Sequence, residues 1–560
     1  MLRRSLRRTL TRTRPRILCL ASPCHKYLPV ARCPRRAKPF TSSTIHRQHE
    51  HNAFPAIGDT IYALSTAHGR AGIAVIRISG PSSLQIYHGL CPDKPPPKPR
   101  RATIRTLTDP TPSVEPNILD SEALLLYFPS PKTVTGEDVL ELHVHGGPAT
   151  VKAVLAAIPK CQTSTRVRYA EPGEFTKRAF IHDRLDLAQI ESLSDTLDAE
   201  TEQQRRAAVR GNSGALGRTY EDWRHQLLYA RGEIEALIDF SEDQHFDESQ
   251  SELLENVARQ VARILHSIDL HELGSQRSEL LRNGIRIALV GPPNVGKSSL
   301  MNIIVGREAS IVSGEAGTTR DIVEASLDIR GFLCSFADTA GFRSMGENDT
   351  EVIGAVEEEG IRRARKKAQE SDIVVVLASV ESGPSGPFIH FDKETLALAS
   401  EAQSSLVVVN KRDAVDEDTF AHLLQAFWQD IREKHPALPS EPICISCKED
   451  ASTTTEGGVQ GVINGLVSSF SQMTDMPPDM RDLLGVTERQ RQLLVKCRGH
   501  LEEFMNEAQP QEDGVDADIV LAAEYLRYAA DCLARITGKG EAGDVEDVLG
   551  VVFEKFCVGK

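Results

Sequence analysis

IRIALVGPPNVGKSSLMNIIVG, residues 285–306, decides the fold of the central part of the chain. Its first six residues are strand-forming and mostly apolar. GPPNVGKS (291–298) is a glycine-containing loop, and SLMNIIVG is helix-forming. Strand, loop and helix in this order make a phosphate-binding P-loop rather than a chance glycine-rich turn. The glycines let backbone N–H groups surround phosphate oxygens. Lys297 brings positive charge to the β/γ oxygens, and the Ser298 hydroxyl suits Mg²⁺. Asn294, Val295, Gly296 and Ser299 complete the loop.

Outward from this loop, residues 284–470 alternate strands with helices. IRIALVG (285–291), DIVVVLA (372–378) and SLVVVN (405–410) read as strands of a buried parallel sheet. Three further motifs follow. DTAG supplies Asp338, Thr339, Ala340 and Gly341: the Asp338 carboxylate suits a metal-bound water, and the Gly341 N–H a γ-phosphate. NKRD supplies Asn410, Lys411 and Asp413, and the Asp413 carboxylate matches guanine N1–H and N2–H₂, which adenine does not offer together. SCK (Ser446, Cys447, Lys448) offers backbone N–H groups to the guanine oxygen. GEAGTTRD (314–321) lies where a switch segment belongs, with Thr319 as a second Mg²⁺ hydroxyl. These elements, in this order, specify a GTP hydrolase. Phe342 follows DTAG where Ras-type enzymes carry a water-orienting Gln, so slow unassisted hydrolysis is expected.

The chain has 560 residues and a formal charge of −14, unevenly spread. Residues 1–49 hold eleven Arg, two Lys and no acid; the rest holds 52 bases against 79 acids. The acidic remainder excludes a protein that coats nucleic acid through bulk positive charge. No uninterrupted apolar run reaches the roughly 18 residues of a membrane span. The basic segment, with Leu2, Leu6 and Leu10 at helical spacing, reads as a mitochondrial presequence, or else as a disordered basic tail that binds RNA or anionic lipid. Of eleven cysteines, Cys444 and Cys447 stand alone as a C-x-x-C pair with no second pair to complete a zinc site, and a reducing compartment fits.

The flanks of the P-loop region differ from it. IYAL (61–64), GIAVIRIS (72–79), ALLLYF (123–128) and DVLELHVH (138–145) are strand candidates, separated by the proline-rich loops 94–101 and 108–117. From about 175 to 280, and again over 481–560, apolar residues recur every three or four positions, as in helices. Helical blocks on both sides of an α/β unit suggest that the unit is inserted into one helical domain. The expected limits are 1–55 for a presequence, 56–173 for an N-terminal domain, 174–282 and 473–560 for the two helical parts, and 283–472 for the G domain.

GPPNVGKSS, GTTRD, DTAG and NKRD together resemble the TrmE–Era branch of GTPases. STAHGRAGIAVIRISGP (65–81), TGEDVLELHVHGGP (135–148), EPGEFTKRAFIHDRLDLAQIE (171–191) and the terminal FCVGK (556–560) are similar to the MnmE (TrmE) family, including its mitochondrial members. The resemblance covers nearly all of residues 57–560. It implies a multidomain α/β and α protein: an N-terminal α+β domain that binds folate and dimerises, a discontinuous helical domain, and an inserted Ras-like P-loop G domain. The implied role is GTP hydrolysis in modification of carbon 5 of the tRNA wobble uridine, giving the carboxymethylaminomethyl or taurinomethyl form. The implied one-carbon source is 5-formyl- or methylene-tetrahydrofolate, and the implied partners are a second copy, a MnmG (GidA)-type protein carrying FAD, and mitochondrial tRNA in the matrix.

The family's sites fall on particular residues. Folate contacts fall on Arg77, Glu141, Arg184 and Lys560; Arg184 replaces the bacterial Lys but keeps the charge. From its own context, Arg77 reads equally as one half of a buried ion pair. A K⁺ site falls on Asn294, Ser313, Glu315 and Thr318, within a GTP-binding set that includes Gly314, Ala316 and Gly317. The catalytic carboxylate falls on Glu357, beside Glu358 and Glu359, acting with Lys297 and Thr319. Cys557 is either a reactive thiol or a small packing residue. His143 and His145 form either a metal pair or packing, and Arg205 and Arg206 either touch tRNA or line a solvated face. An organellar ribosome-assembly GTPase, which would carry a KH domain, is the alternative function, but residues 481–560 read as helical and end in FCVGK. A folate sensor without an RNA role is a third.

Overall fold

The computed structural model describes residues 58–240, 250–307, 309–312, 326–336, 365–366, 368–384, 386–436, 438, 441–448, 458–508 and 517–539. The basic segment expected to be a presequence lies outside them.

The N-terminal region folds as β1 (Thr60–Leu64), β2 (Ile73–Ser79), α1 (Ser83–Leu90), β3 (Thr103–Thr108), β4 (Ile118–Phe128), β5 (Val139–His145), α2 (Pro148–Ala157), β6 (Val167–Tyr169) and α3 (Glu174–Ile181). Its sheet runs β3-β4-β5-β2-β1-β6, antiparallel except for the parallel β1–β6 pair. Side chains alternate across each strand. Ile76, Ile78, Leu140, Leu142 and Val144 therefore point to one face, where they pack against Ile86, Tyr87 and Leu90 of α1 and Val151 and Val154 of α2. The intervening residues Arg77, Glu141 and His143 point to the other face. There β1 presents Ile61 and Ala63 to Phe175 of α3. A charged network fixes α3: Arg178 donates to Asp59 Oδ1 at 2.5 Å and to Glu137 Oε2 at 2.9 Å, and Arg168 joins Asp59 to Glu174. α3 begins at the expected 173/174 domain limit, and it packs on this sheet.

α4 (Leu187–Asp198), α5 (Glu202–Gly211), α6 (Ala215–Phe240) and α7 (Gln250–Asn283) follow. Asp186 and Thr201 start α4 and α5 with reciprocal capping boxes through Gln189 and Gln204. The next region contains β7 (Ile285–Val290), α8 (Lys297–Arg307), β8 (Ala309–Ile311), β9 (Ser326–Ile329), β10 (Phe332–Phe336), β11 (Ile373–Gly383), β12 (Gly386–His390), α9 (Lys393–Glu401), β13 (Ser405–Asn410), α10 (Glu417–Lys434), β14 (Ile443–Cys444) and α11 (Val459–Thr474). The sheet order is β14-β13-β11-β7-β10-β9-β8, with β12 paired antiparallel to β11. From β14 to β10 it is parallel. Both faces of the parallel strands are buried, which is why they read as unbroken apolar runs. Ile287, Leu289, Val375 and Leu377 meet α8 and α11; Ala288, Val290, Val374 and Val376 meet α9 and α10.

α12 (Glu488–Ala508) and α13 (Ile519–Thr537) return to the helices that precede this sheet. The buried residues of α6 are Leu216, Tyr220, Trp223, Leu227, Ala230 and Ile234, spaced alternately by four and three. Leu494, Cys497, Leu501 and Phe504 of α12, with Leu526, Ala529 and Leu533 of α13, share their core. This is the spacing of a helical bundle. Buried polar contacts fix the register. Glu191 of α4 accepts from Arg489 Nε at 2.5 Å, Gln490 Nε2 at 2.7 Å and Thr487 Oγ1 at 3.1 Å. Arg282 at the end of α7 donates to the Val486 and Gly485 carbonyls. The β9–β10 turn rests on the start of α5, where Gln203 N donates to Gly331 O at 3.1 Å.

Two outcomes follow from this packing. Glu191→Ala leaves the fully buried Gln490 amide without its acceptor and the Arg489 guanidinium without its carboxylate partner; we expect the unfolding free energy in urea to fall by about 2–4 kcal/mol. His271 of α7, buried against α6, meets Tyr220 Oη at 3.1 Å, and burial pushes its pKa down to about 4. The fold thus holds the neutral imidazole. Above the unfolded-state value near 6.5 this costs nothing; as pH falls from there toward 4, only the unfolded chain takes up the proton, and stability drops. Between pH 7 and pH 5 the wild type should lose about 2 kcal/mol more than His271→Gln, judged by urea midpoints.

Candidate nucleotide and ligand sites

The phosphate loop leaves β7 at Gly291 (φ +144°), where an added Cβ would lie 2.2 Å from the Leu377 carbonyl of β11. Only glycine fits so close a passage. Val295 is fully buried and anchors the loop, whereas Asn294, at φ +63°, stands exposed at its tip. Gly296 (φ +100°) closes the loop, and a Cβ there would meet Asn410 Nδ2 at 2.2 Å. α8 then starts at Lys297, so its first N–H groups and its positive dipole end face the loop. Lys297 Nζ lies across that loop, donating to Gly291 O at 2.8 Å and Pro292 O at 2.6 Å. Burial lowers its pKa, so a bound anion that restores its partnership is favoured. Ser298 is half-buried and Ser299 exposed on the first turn of α8.

Asn410 ends β13 and is buried. Its Nδ2 donates to Val295 O at 2.8 Å, and its Oδ1 accepts from Cys447 N at 3.1 Å. Ser446 Oγ donates to Asp413 Oδ1 at 2.7 Å. The chain turns at Lys411 (φ +61°), whose Nζ donates to Glu381 Oε1 at 2.7 Å. Lys448 stands exposed at the following turn. The P-loop, NKRD and SCK therefore converge at the carboxyl ends of β7, β11 and β13, where ligands sit in open α/β sheets. Ser313, Gly314, Glu315, Ala316, Gly317, Thr318, Thr319, Asp338, Thr339, Ala340, Gly341, Phe342 and Glu357 lie outside the described residues.

On the N-terminal sheet, Arg77 of β2 and Glu141 of β5 are register partners, and Arg77 Nε donates to Glu141 Oε1 at 3.0 Å. Both side chains are largely covered, so the ion-pair reading of Arg77 holds. It does not exhaust the site. His143 Nε2 is buried without a hydrogen-bond partner, 3.6 Å from Glu141 Oε2. Arg77, Glu141 and His143 thus place three polar groups on one face of the sheet. Arg184 is exposed after α3 and donates to Thr133 O at 3.0 Å, in the loop before β5. Lys560 and Cys557 lie outside the described residues.

His145 does not pair with His143; its Nδ1 meets both oxygens of the buried Asp120 at 3.0 Å. Among the described residues no cluster of three or more His, Cys, Asp or Glu is placed to hold a metal. Arg205 and Arg206 are exposed, and both donate to Glu202 on their own helix. Sequence reading missed Glu381 and Asp120. Nothing local marks either, because each matters only through a strand pairing.

Replacing Asp413 by Asn tests the guanine assignment. The amide presents a donor where guanine also presents one, so GDP affinity should fall on the order of a hundredfold while xanthosine diphosphate affinity rises. Titration calorimetry with the two nucleotides measures both.

Comparison with known proteins agrees with this geometry. Residues 60–184 match the family model of the GTP-binding protein TrmE N-terminus, and residues 187–557 match that of the MnmE helical domain. The chain is 40% identical over 503 residues to the tRNA modification GTPase MnmE of Parvibaculum lavamentivorans, covering 90% of this chain and all of that protein. It is 37% identical over 514 residues to the human mitochondrial 5-taurinomethyluridine-[tRNA] synthase subunit GTPB3, covering 90% of this chain and 94% of that one. The Saccharomyces cerevisiae mitochondrial tRNA modification GTPase MSS1 is 35% identical over 518 residues, covering 90% and 93%. With two family models matched over residues 60–184 and 187–557 and relatives 35–40% identical over nearly their whole length, the chain belongs to the MnmE (TrmE) family of GTPases.

Proposed function

We propose that this chain is the GTP-hydrolysing component of the mitochondrial machinery that modifies carbon 5 of the tRNA wobble uridine. The observation that carries this reading is the presence, in one chain, of a guanine-type loop set around Asn410 and a separate polar face at Arg77, Glu141 and His143. The first hydrolyses GTP. The second suits a heterocycle with an N–H edge, because a carboxylate accepts from such an edge and the orphaned His143 nitrogen gains a partner. A one-carbon tetrahydrofolate has that chemistry. Arg77 and Glu141 would hold its ring, with Arg184 and Lys560 as cations for its glutamate; when bound, the folate supplies the one-carbon unit.

In the nucleotide site, Ser298 and Thr319 would hold Mg²⁺. Asn294, Ser313, Glu315 and Thr318 would hold K⁺ in place of an arginine finger, and Asn294 stands at the loop tip with its side chain accessible. Glu357 would orient the attacking water. A homodimer, an FAD-carrying MnmG-type partner and mitochondrial tRNA complete the assembly in the matrix. The residues after Glu50 are strongly acidic, so the partner would carry most phosphate contacts to tRNA. Residues 1–55 would serve as the address, 56–173 as the folate domain, 174–282 and 473–560 as one helical domain, and 283–472 as the G domain. The described residues beyond Thr474 contain helices and no strand, which does not suit the αβ KH module of a ribosome-assembly factor.

Mass spectrometry of mitochondrial tRNA from a strain lacking the gene is the test. The C5 modification should vanish and return with the wild-type chain, while Arg77→Ala should restore GTP hydrolysis but not modification. Full modification without the gene would overturn the proposal. Hydrolysis should be much faster in K⁺ than in Na⁺; equal rates would remove the cation assignment.

A further inference from the structure

β11 runs past the site. It pairs with β13 in parallel as far as Ser379, opposite Asn410, and continues to Gly383 before β12 returns antiparallel to it. The extension carries Glu381 above the level at which β13 ends. Its carboxylate is doubly engaged: Oε1 accepts from Lys411 Nζ at 2.7 Å and from Ser379 Oγ at 3.0 Å. The β12 pairing, which sets Glu381 opposite Phe388, holds that stretch of β11 in extended form. Lys411 lies between Asn410, which ties the phosphate loop to the following loop, and Asp413, the proposed reader of the guanine edge. Its backbone is already left-handed at φ +61°, so its side chain leaves the turn in a fixed direction.

We infer that Glu381 is a positioning residue for guanine recognition, holding the Lys411 ammonium so that the lysine's apolar stem lies extended as one wall of the base site. This rests on the guanine-binding reading above. A lysine on a turn has four rotatable side-chain bonds and much rotamer freedom to lose when a base stacks on it. Anchoring the ammonium outside the site removes that freedom before the nucleotide arrives, and only the methylenes are left to meet the base. Glu381 lies past the end of β13 and is not among the residues proposed to hold phosphate, Mg²⁺ or K⁺. Its effect is therefore on binding and not on the hydrolytic step. Hydrogen bonds from Lys411 and Ser379 hold the carboxyl of Glu381 below its usual pKa, so it stays ionised at neutral pH.

The experiment uses the full chain with GDP as the probe, in Glu381→Ala, Glu381→Gln, Lys411→Ala and the Glu381→Ala/Lys411→Ala double variant. Glu381→Ala should weaken GDP binding by about threefold to tenfold and raise the KM for GTP to match, the scale of losing one charged hydrogen bond. Its kcat should stay within about twofold, as for loss of an interaction made equally in ground and transition states. Glu381→Gln should fall between Glu381→Ala and wild type. In the Lys411→Ala background, Glu381→Ala should have no further effect, since it acts through that lysine. Unchanged GDP affinity in Glu381→Ala, a loss that adds fully to that of Lys411→Ala, or a lower kcat with unchanged KM would each overturn the assignment. Failure of the wild type itself to bind GDP would instead overturn the GTPase reading.

Discussion

The carboxamide of Asn410 holds the nucleotide site together. It donates to the Val295 carbonyl in the phosphate loop and accepts from the Cys447 N–H in the SCK loop, so one buried side chain joins segments more than a hundred residues apart. A buried amide that satisfies two backbone groups at once is costly to replace, because each partner would be left in a dry environment without water. The same contact explains Gly296: the amide nitrogen occupies the space a side chain would need. The rest of the G region serves this junction. Parallel strands buried on both faces bring β7, β11 and β13 to a common edge, and the loops at that edge have little freedom left.

Around this core, the chain is tied by polar contacts that span long sequence distances. Glu191 and Arg282 fix the residues after Thr474 onto helices that come before the sheet, so the α/β unit lies within a continuous helical frame. The β9–β10 hairpin connects the segment that carries GTTRD with the segment that carries DTAG, and its turn rests on α5 through Gln203 and Gly331. At the other end, Arg178 and Arg168 join α3 to the N-terminal sheet through Asp59, Glu137 and Glu174, and α3 leads directly to Arg184. The polar face at Arg77 and the nucleotide site thus share a connected scaffold.

Much of this was legible in the sequence because the chemistry is local. A phosphate loop needs its glycines, lysine and serine in one short run, and a strand buried on both faces must be apolar throughout. What was not legible depends on pairing. TIRTLT in β3 has a polar alternation between proline-rich loops and reads as loop until β4 lies beside it. The strand DIVVVLA ends at Ala378 on its apolar pattern, whereas β11 continues to Gly383 because β12 folds back on it. Arg77 was open to two readings from its own strand. The register with Glu141 settles the ion pair, and it also brings His143 beside the same carboxylate, which is invisible in one dimension. Asp120 and Glu381 matter through neighbours about 25 and 30 residues away.

The uneven charge gains meaning from the fold. In the sequence the basic excess lies at 1–49, and many described arginines of the acidic remainder are committed to pairs within the chain, as Arg168, Arg178, Arg205, Arg206, Arg282 and Arg489 illustrate. Such a chain is suited to bind a nucleotide in a defined cleft and not to wrap a polyanion by charge alone. The loops joined by Asn410 are those proposed to select guanine. Calorimetric titration of the wild-type chain with GDP and with ADP, each with Mg²⁺, tests this selection most directly. The account predicts GDP binding with ADP weaker by on the order of a hundredfold or more; equal affinities for the two nucleotides would contradict it.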